Sequence, residues 1–319
     1  MKKALASILF TLATTITGHA AYPEKPVTMI VPFPAGGSTD MVARTMGANL
    51  TEKLGQTFII DNRPGATGAI GAAMVKRAAP DGYTLLVASI AVWAVNPFLQ
   101  KNLPYDPAKD FDLLTIAVRA PNVLVVHPSI PGTAVADLIN YMKKNPGKVT
   151  FASSGAGSSD HLTAELFWQK TGTNAIHVPY KGGAPAVIDL IGGHVDASFQ
   201  NLNVVVTHVN AGKMKALAQT GEKRSPQLAN VPTMAEAGVK DVVVYSWQAI
   251  AGPKGMQPEI KARLHKAMVD SLNDPQIRQK MLDQGFEIVA NTPAQFAQFQ
   301  NQELARWKQV IETGHITIE

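Results

Sequence analysis

The chain predicts an α/β protein of two doubly wound lobes joined by a two-segment hinge around a central cleft. Short β-rich apolar runs alternate with helix-period runs along most of its length, as parallel sheets covered by helices require. The alternation pauses once at Arg119-Ala120-Pro121-Asn122 and then restarts, giving a second set of similar build. A long stretch rich in Pro, Gly and charge, residues 219–240, then leads to one more strand and three closing helices, and a stretch of that length wraps a surface or feeds a connection. The lobes are therefore discontinuous, 21–121 with 246–319 and 122–245 between them.

In the first lobe, strands at 27–31, 58–61 and 84–88 are separated by helices over 40–54 and 68–78. The first helix follows from Met41, Val42, Thr45, Met46, Leu50 and Leu54 on one stripe, with Gly55 as its stop. A further strand at 113–117 ends before Pro121. The second lobe carries strands at 123–126, 149–152, 175–178, 197–200 and 214–218, with helices near 133–144, 159–171, 184–191 and 203–211. The run 242–247 returns to the first lobe. Helices over 259–272, 274–284 and 293–313 close the chain, with Pro258 and Pro293 at their starts and Asn273-Asp274-Pro275 between the first two.

The ends and the composition narrow the class. Lys2 and Lys3, an apolar run over 4–13 and Gly18-His19-Ala20 form a secretory signal over 1–20 whose core is too short to span a bilayer. Cleavage after Ala20 and the lack of any later run of roughly 18 apolar residues predict a free protein outside the cytoplasm. There is no cysteine, so disulfides, thiol chemistry and a lipidated cysteine are excluded. The net charge of +5 includes Lys2 and Lys3, leaving +3 after cleavage, which suits an anionic small ligand. Basic residues never cluster beyond pairs such as Lys143-Lys144, so nucleic acid is not a partner. The histidines show no metal spacing, and no cofactor is expected.

Two loops carry the chemistry. Residues 31–40, Val-Pro-Phe-Pro-Ala-Gly-Gly-Ser-Thr-Asp, join a strand to a helix. Gly36 and Gly37 let the backbone turn sharply and approach a ligand, while the first helical N–H groups lack intrahelical partners and carry part of the positive macrodipole. The pattern has neither the Gly-Lys-Ser/Thr ending of a phosphate-binding P-loop nor the G-x-G-x-x-G spacing of a dinucleotide fold. In the second lobe, Ser153-Ser154-Gly155-Ala156-Gly157-Ser158-Ser159-Asp160-His161 repeats the same physics before another helix. Both loops fall at the carboxyl ends of strands, where open α/β sheets bind ligands. If the lobes face each other, two helix N-termini hold one carboxylate from both sides.

Five segments together carry a resemblance: residues 32–40, Asn62-Arg63-Pro64-Gly65-Ala66, Pro80-Asp81-Gly82-Tyr83-Thr84-Leu85, His177-Val178-Pro179-Tyr180-Lys181-Gly182-Gly183 and residues 231–238. In that order, covering essentially the whole mature chain, the sequence resembles the tripartite tricarboxylate transporter receptor family, also called the Bordetella uptake gene family. The resemblance implies a periplasmic type II solute-binding protein, not an enzyme, that delivers a carboxylated solute to the membrane subunits of a tripartite tricarboxylate-type transporter. It places Phe33, Gly36, Gly37, Ser38, Thr39 and Asp40 on one wall and Ser154, Gly155, Ser158, Ser159 and His161 on the other. A monomer is expected, since the receptor must dock with a membrane partner.

Other positions join these. Ser89 ends a strand and is expected to point into the cleft, and residues 90–94 with Trp93 are expected to read the far end of the ligand, tilting it toward an aromatic or hydrocarbon-bearing carboxylate. Asp40 as an ionised side chain would repel a ligand carboxylate, so its backbone N–H or an oriented water is the expected contact. Were its side chain to face the ligand, an amino group would be the partner; alternatively it complements the helix dipole. His161 either donates to the ligand or packs in its helix. Tyr180 is expected as a cleft wall, Lys181 equally as a solvated charge, and Gln200, Asn201 and Asn203 as amide donors near the hinge.

Two rival readings have distinct signatures. A secreted hydrolase is suggested by Ser158, Asp160 and His161, but neighbouring residues on a helix do not face one another and no G-x-S-x-G elbow exists. A ligand-loaded signalling partner of a membrane sensor would use the same lobe closure.

Overall fold

The computed structural model describes residues 22–317; the leader expected over 1–20 lies outside them. The first elements are β1 (Val27–Val31), α1 (Ser38–Leu54), β2 (Phe58–Asn62), α2 (Ala69–Lys76) and β3 (Thr84–Ser89). A π-helical turn (Ala91–Val95), α3 (Asn96–Leu99) and the long strand β4 (Phe111–Val126) follow. The chain continues with α4 (Val135–Lys144), β5 (Thr150–Ser153), α5 (Ser159–Thr171), β6 (Ile176–Pro179), α6 (Gly183–Ile191), β7 (Ala197–Asn201), α7 (Leu202–Asn210) and β8 (Lys215–Gln219). It ends with β9 (Tyr245–Pro253), α8 (Pro258–Leu272), α9 (Pro275–Asp283), the short strand β10 (Glu287–Ile288) and α10 (Pro293–Gly314).

The strands form two sheets that share β4. In the first the order is β2-β1-β3-β9-β4, with β10 also on β4. There β1 is parallel to β2 and β3, and β9 is antiparallel to β3 and β4. Covered on both faces, β1 is buried at four of its five positions and reads Val-Thr-Met-Ile-Val, the near-continuous apolar run such a strand needs. In the second sheet β6, β5 and β7 are parallel, and β4 takes β7 and β8 as antiparallel neighbours.

The pause expected at 119–122 is not a break. β4 runs on through Pro121, with residues 111–121 paired to β9 and residues 122–126 paired to β7 and β8. Proline, lacking an N–H, is tolerated because it stands at the changeover between sheets. The chain passes the same place a second time: Thr220 donates its N–H to the Asn122 carbonyl, accepts from the Asn122 N–H through Oγ1, and accepts from the Val244 N–H. The returning strand starts at Tyr245 and reaches Pro253, whereas the apolar run suggested 242–247. Two flanking strands set its extent, and that pairing outweighs local β-propensity.

Helix ends follow their caps. Gly55 closes α1 in the left-handed conformation, φ 71°, donating to the Thr51 carbonyl. Asp274 caps α9, and Thr292 with Gln295 forms a capping box on α10. α10 packs along the first sheet through Phe296 and Phe299 against Trp247, and Glu303 accepts from the indole N–H groups of both Trp247 and Trp307. Among the described residues, no helix is long and apolar enough to cross a membrane.

Candidate functional site

Four helices begin at one cavity of about 440 Å³: α1 from the first lobe, and α5, α6 and α7 from the second. The residues at their starts, Gly37 and Ser38, Ser158 and Ser159, Gly182 and Gly183, and Asn201, all line it. The N-caps of α1, α6 and α7 make no side-chain cap hydrogen bond. First-turn amides have no partner within their own helix, and each terminus carries partial positive charge, so the walls favour an anion. Only α5 is capped, by Ser158 Oγ accepting from the His161 N–H.

The first loop is locked by Asp40. Its Oδ2 accepts from the Gly36 N–H and Arg44 Nε, both at 2.9 Å, and its Oδ1 accepts from Asn62 Nδ2 at 2.9 Å. Burial by itself would raise the carboxyl pKa, but the hydrogen bonds from Arg44, Gly36 and Asn62 outweigh it and hold the group below the usual carboxylate range. Gly36 itself sits at φ 85°, which a side chain would strain. The second loop has an equivalent lock: the Asp160 carboxylate accepts from the Ser154 N–H and Oγ, both at 2.6 Å, and from Gln200 Nε2 at 3.2 Å. Asp160 is buried, and desolvation pushes its pKa up. The carboxylates thus shape the loops, leaving backbone amides to face the cavity.

The lobes touch across the cleft. Ser38 Oγ lies 2.9 Å from Asn201 Oδ1 and 3.0 Å from Asn203 Oδ1, and Thr67 Oγ1 donates to the Ala156 carbonyl at 2.9 Å. Thr67 belongs to a run of four positive-φ residues, Gly65, Ala66, Thr67 and Gly68. Asn96 Nδ2 and Gln100 Nε2 hold the Thr67 and Ala66 carbonyls at 3.0 and 2.9 Å. Strain in non-glycine residues persists where surrounding contacts over-determine it.

Of the positions expected from sequence, the cavity brings together Phe33, Gly37, Ser38, Thr39, Ser89, Ser154, Gly155, Ser158, Ser159, Tyr180 and Asn201. Five others stand outside its lining. Gly36 and Asp40 serve the loop as described. Trp93 is fully buried, donating Nε1 to the Ala88 carbonyl at 3.0 Å and packing edge-to-face on Phe111 and Phe296. Ile90, Val92, Trp93 and Ala94 of the apolar segment 90–94 are therefore core, as its continuous hydrophobicity warranted, and of the segment Ala91 alone borders the cavity. His161 accepts the Gly157 N–H through Nδ1 at 3.0 Å and stacks on His177 with ring centroids 3.8 Å apart. Gln200 spends its amide on Asp160 and Ser198. Tyr180 offers only ring and backbone, since its hydroxyl donates to Asp189 at 2.6 Å.

The cavity also includes Lys181, which the sequence left between cleft and solvent, and residues that sequence reasoning missed: the 64–68 loop, and Ser246 and Gln248 on β9. The alternation Ser246-Trp247-Gln248 was a usable signal, because two polar residues on one face of a central strand need a polar surface. Among the described residues, Asp160 and Lys181 are the only charged ones lining the cavity. Among the described residues, no cluster of His, Cys, Asp or Glu could hold a metal ion.

Comparison with known proteins agrees with this geometry. The family profile described as "Tripartite tricarboxylate transporter family receptor" matches residues 42–316. Protein BugT of Bordetella pertussis is 40% identical over 295 residues, covering 92% of this chain and 90% of its own. Rpa4515 of R. palustris, solved with adipate, superposes with a TM-score of 0.90 at 38% identity, covering 93% of this chain and 99% of that one. MatC from Rhodopseudomonas palustris, solved with bound malate, gives 0.86 at 30% identity, covering 91% and 100%. The matched family is one of transporter receptors, not enzymes. With its two-lobed α/β architecture and a family match across nearly its whole length, the chain belongs to the tripartite tricarboxylate transporter receptor family of periplasmic solute receptors.

Proposed function

We propose that this receptor captures a small dicarboxylate in the cleft between its lobes and hands it to the membrane subunits of a tripartite tricarboxylate-type transporter. The observation that carries the reading is the meeting of four helix N-termini, three without side-chain caps, on one cavity whose acidic side chain among the described residues, Asp160, is already spent on hydrogen bonds. An anion gains from every wall, and Lys181 adds a cation. An α-ammonium group would find no free carboxylate, because Asp40 and Asp160 serve their own loops. That favours diacids over amino acids. Pro32, Phe33, Pro64 and Ala91 supply apolar surface for a short hydrocarbon middle. The adipate and malate bound to the two relatives are diacids of this kind.

The energies suffice without metal or covalent help. Charge-assisted hydrogen bonds at about 1.5–3 kcal/mol each and helix termini at about 0.3–1 each reach the roughly 8 kcal/mol of a micromolar complex after ordering costs. A thermal-shift panel of four- to six-carbon diacids, amino acids and neutral sugars tests the reading. A diacid at 100 times its Kd stabilises the fold by about 2.7 kcal/mol. Stabilisation by sugars or amino acids alone would overturn the proposal.

A further inference from the structure

We propose that Gln248 reads a hydroxyl group carried beside the ligand's carboxylate, so that the receptor prefers 2-hydroxy diacids to the unsubstituted diacids of the same length. The inference rests on the carboxylate reading above. Gln248 lines the cavity, yet it is only 1% exposed. Its Nε2 donates to Ser246 Oγ at 3.1 Å, and its Oε1 has no hydrogen-bond partner. Buried polar atoms without partners are rare in folded proteins, and one carried by a residue that lines a binding cavity marks a place where a ligand group can complete the bonding.

The chemistry of that atom selects the group. An amide oxygen accepts only, and an ionised carboxylate also accepts only, so the two cannot satisfy each other. A hydroxyl on the ligand can donate. Strand alternation sets which part of the ligand lies there. Trp247 faces α10 through Glu303, so Ser246 and Gln248 lie on the opposite face of β9, the face on which Ile250 packs in one cluster with Val42 and Met46 of α1. The uncapped N-terminus of α1 opens on the same cavity. A carboxylate seated on α1 therefore presents its adjacent carbon toward Gln248, and Ser89, the register partner of Gln248 on β3, borders the same space. An α-ammonium could donate as well, but it would bring a positive charge into walls built of helix N-termini.

Calorimetric titration of the mature protein with malate, succinate and aspartate tests this, using wild type, Gln248→Met and Gln248→Leu. Wild type is expected to bind malate about tenfold or more tightly than succinate, and aspartate more weakly than malate. Either variant is expected to bring the malate-to-succinate ratio close to one, with folding checked by thermal melting. The wild-type ratio needs no variant, so a misfolded mutant leaves the test standing. Equal binding of malate and succinate by wild type overturns this inference while leaving the carboxylate reading intact. So does a ratio unchanged in a folded variant, or tighter binding of aspartate. An amide turned over to offer Nε2 predicts equal loss of malate and succinate in the variants, and that result also counts against the proposal. Failure of wild type to bind any diacid removes both readings.

Discussion

Replacing Asp40 by Asn should destabilise the fold markedly at neutral pH, and the loss should shrink on acidification. Two carboxylate oxygens here receive three donors: the Gly36 N–H, Arg44 Nε and Asn62 Nδ2. Asparagine keeps the shape but turns one oxygen into an N–H₂, so at least one buried donor meets another donor. Leaving such a group unsatisfied costs about 1–3 kcal/mol, and losing the negative charge in the first turn of α1 costs about 0.3–1 kcal/mol more. The expected total, about 1.3–4 kcal/mol, corresponds to a drop of roughly 2–6 °C in Tm for a chain of this size. The sign with pH follows from the depressed native pKa. The native state binds the proton less readily than the unfolded chain, so the Asp40 contribution is complete above the unfolded value of about 3.9 and is lost as pH falls through the native one. The gap between thermal melts of wild type and variant should narrow from pH 7 to pH 3. Equal stability at pH 7, or a gap that persists undiminished at pH 3, would refute the assignment of Asp40 as the lock of the first loop.

Thr67→Val removes the cross-cleft bond to Ala156 while keeping the β-branched shape, and should weaken ligand binding by about three- to tenfold with little change in apo stability, read by calorimetry and melting. Trp93→Ala should cost about 3–5 kcal/mol of stability, because this buried ring packs on Phe111 and Phe296; a specificity change in a fully stable variant would return Trp93 to the cleft. Burial, together with the stacked His161, pulls the His177 pKa down to about 3. Its native state resists protonation, so stability present above about pH 6.5 should be lost as pH falls toward 3, and His177→Gln should flatten that part of the denaturation profile.

Most of the architecture could be read from the chain because its signals are local. The stripe from Met41 to Leu54, the stop at Gly55, and the prolines at 258, 275 and 293 mark helices whatever packs against them. Strand β4 was harder, since a proline that interrupts one sheet can stand unharmed where a strand changes sheets, and only the pairing partners reveal that. The two glycine-bearing loops were legible because helix N-termini and flexible backbone are encoded side by side. Which side chains face the ligand was not. Asp40, His161 and Gln200 have the right chemistry for a site, yet each spends its polar atoms on the loop or strand behind it, through bonds to residues as distant as Asn62 and Asp160. Trp93 shows the same limit for apolar residues: a tryptophan next to a site serves equally as core. Gln248 carries no motif at all, and its place emerges only from the register of β9 against β3.

The central claim is that main-chain amides at converging helix starts hold an anionic carboxyl group. Calorimetric titration of the mature protein with a bound diacid and with its diamide, identical in shape but uncharged, tests it most directly. Tight binding of the diacid and at least a hundredfold weaker binding of the diamide, about 2.8 kcal/mol, is the predicted result. Equal affinity for the two would contradict it.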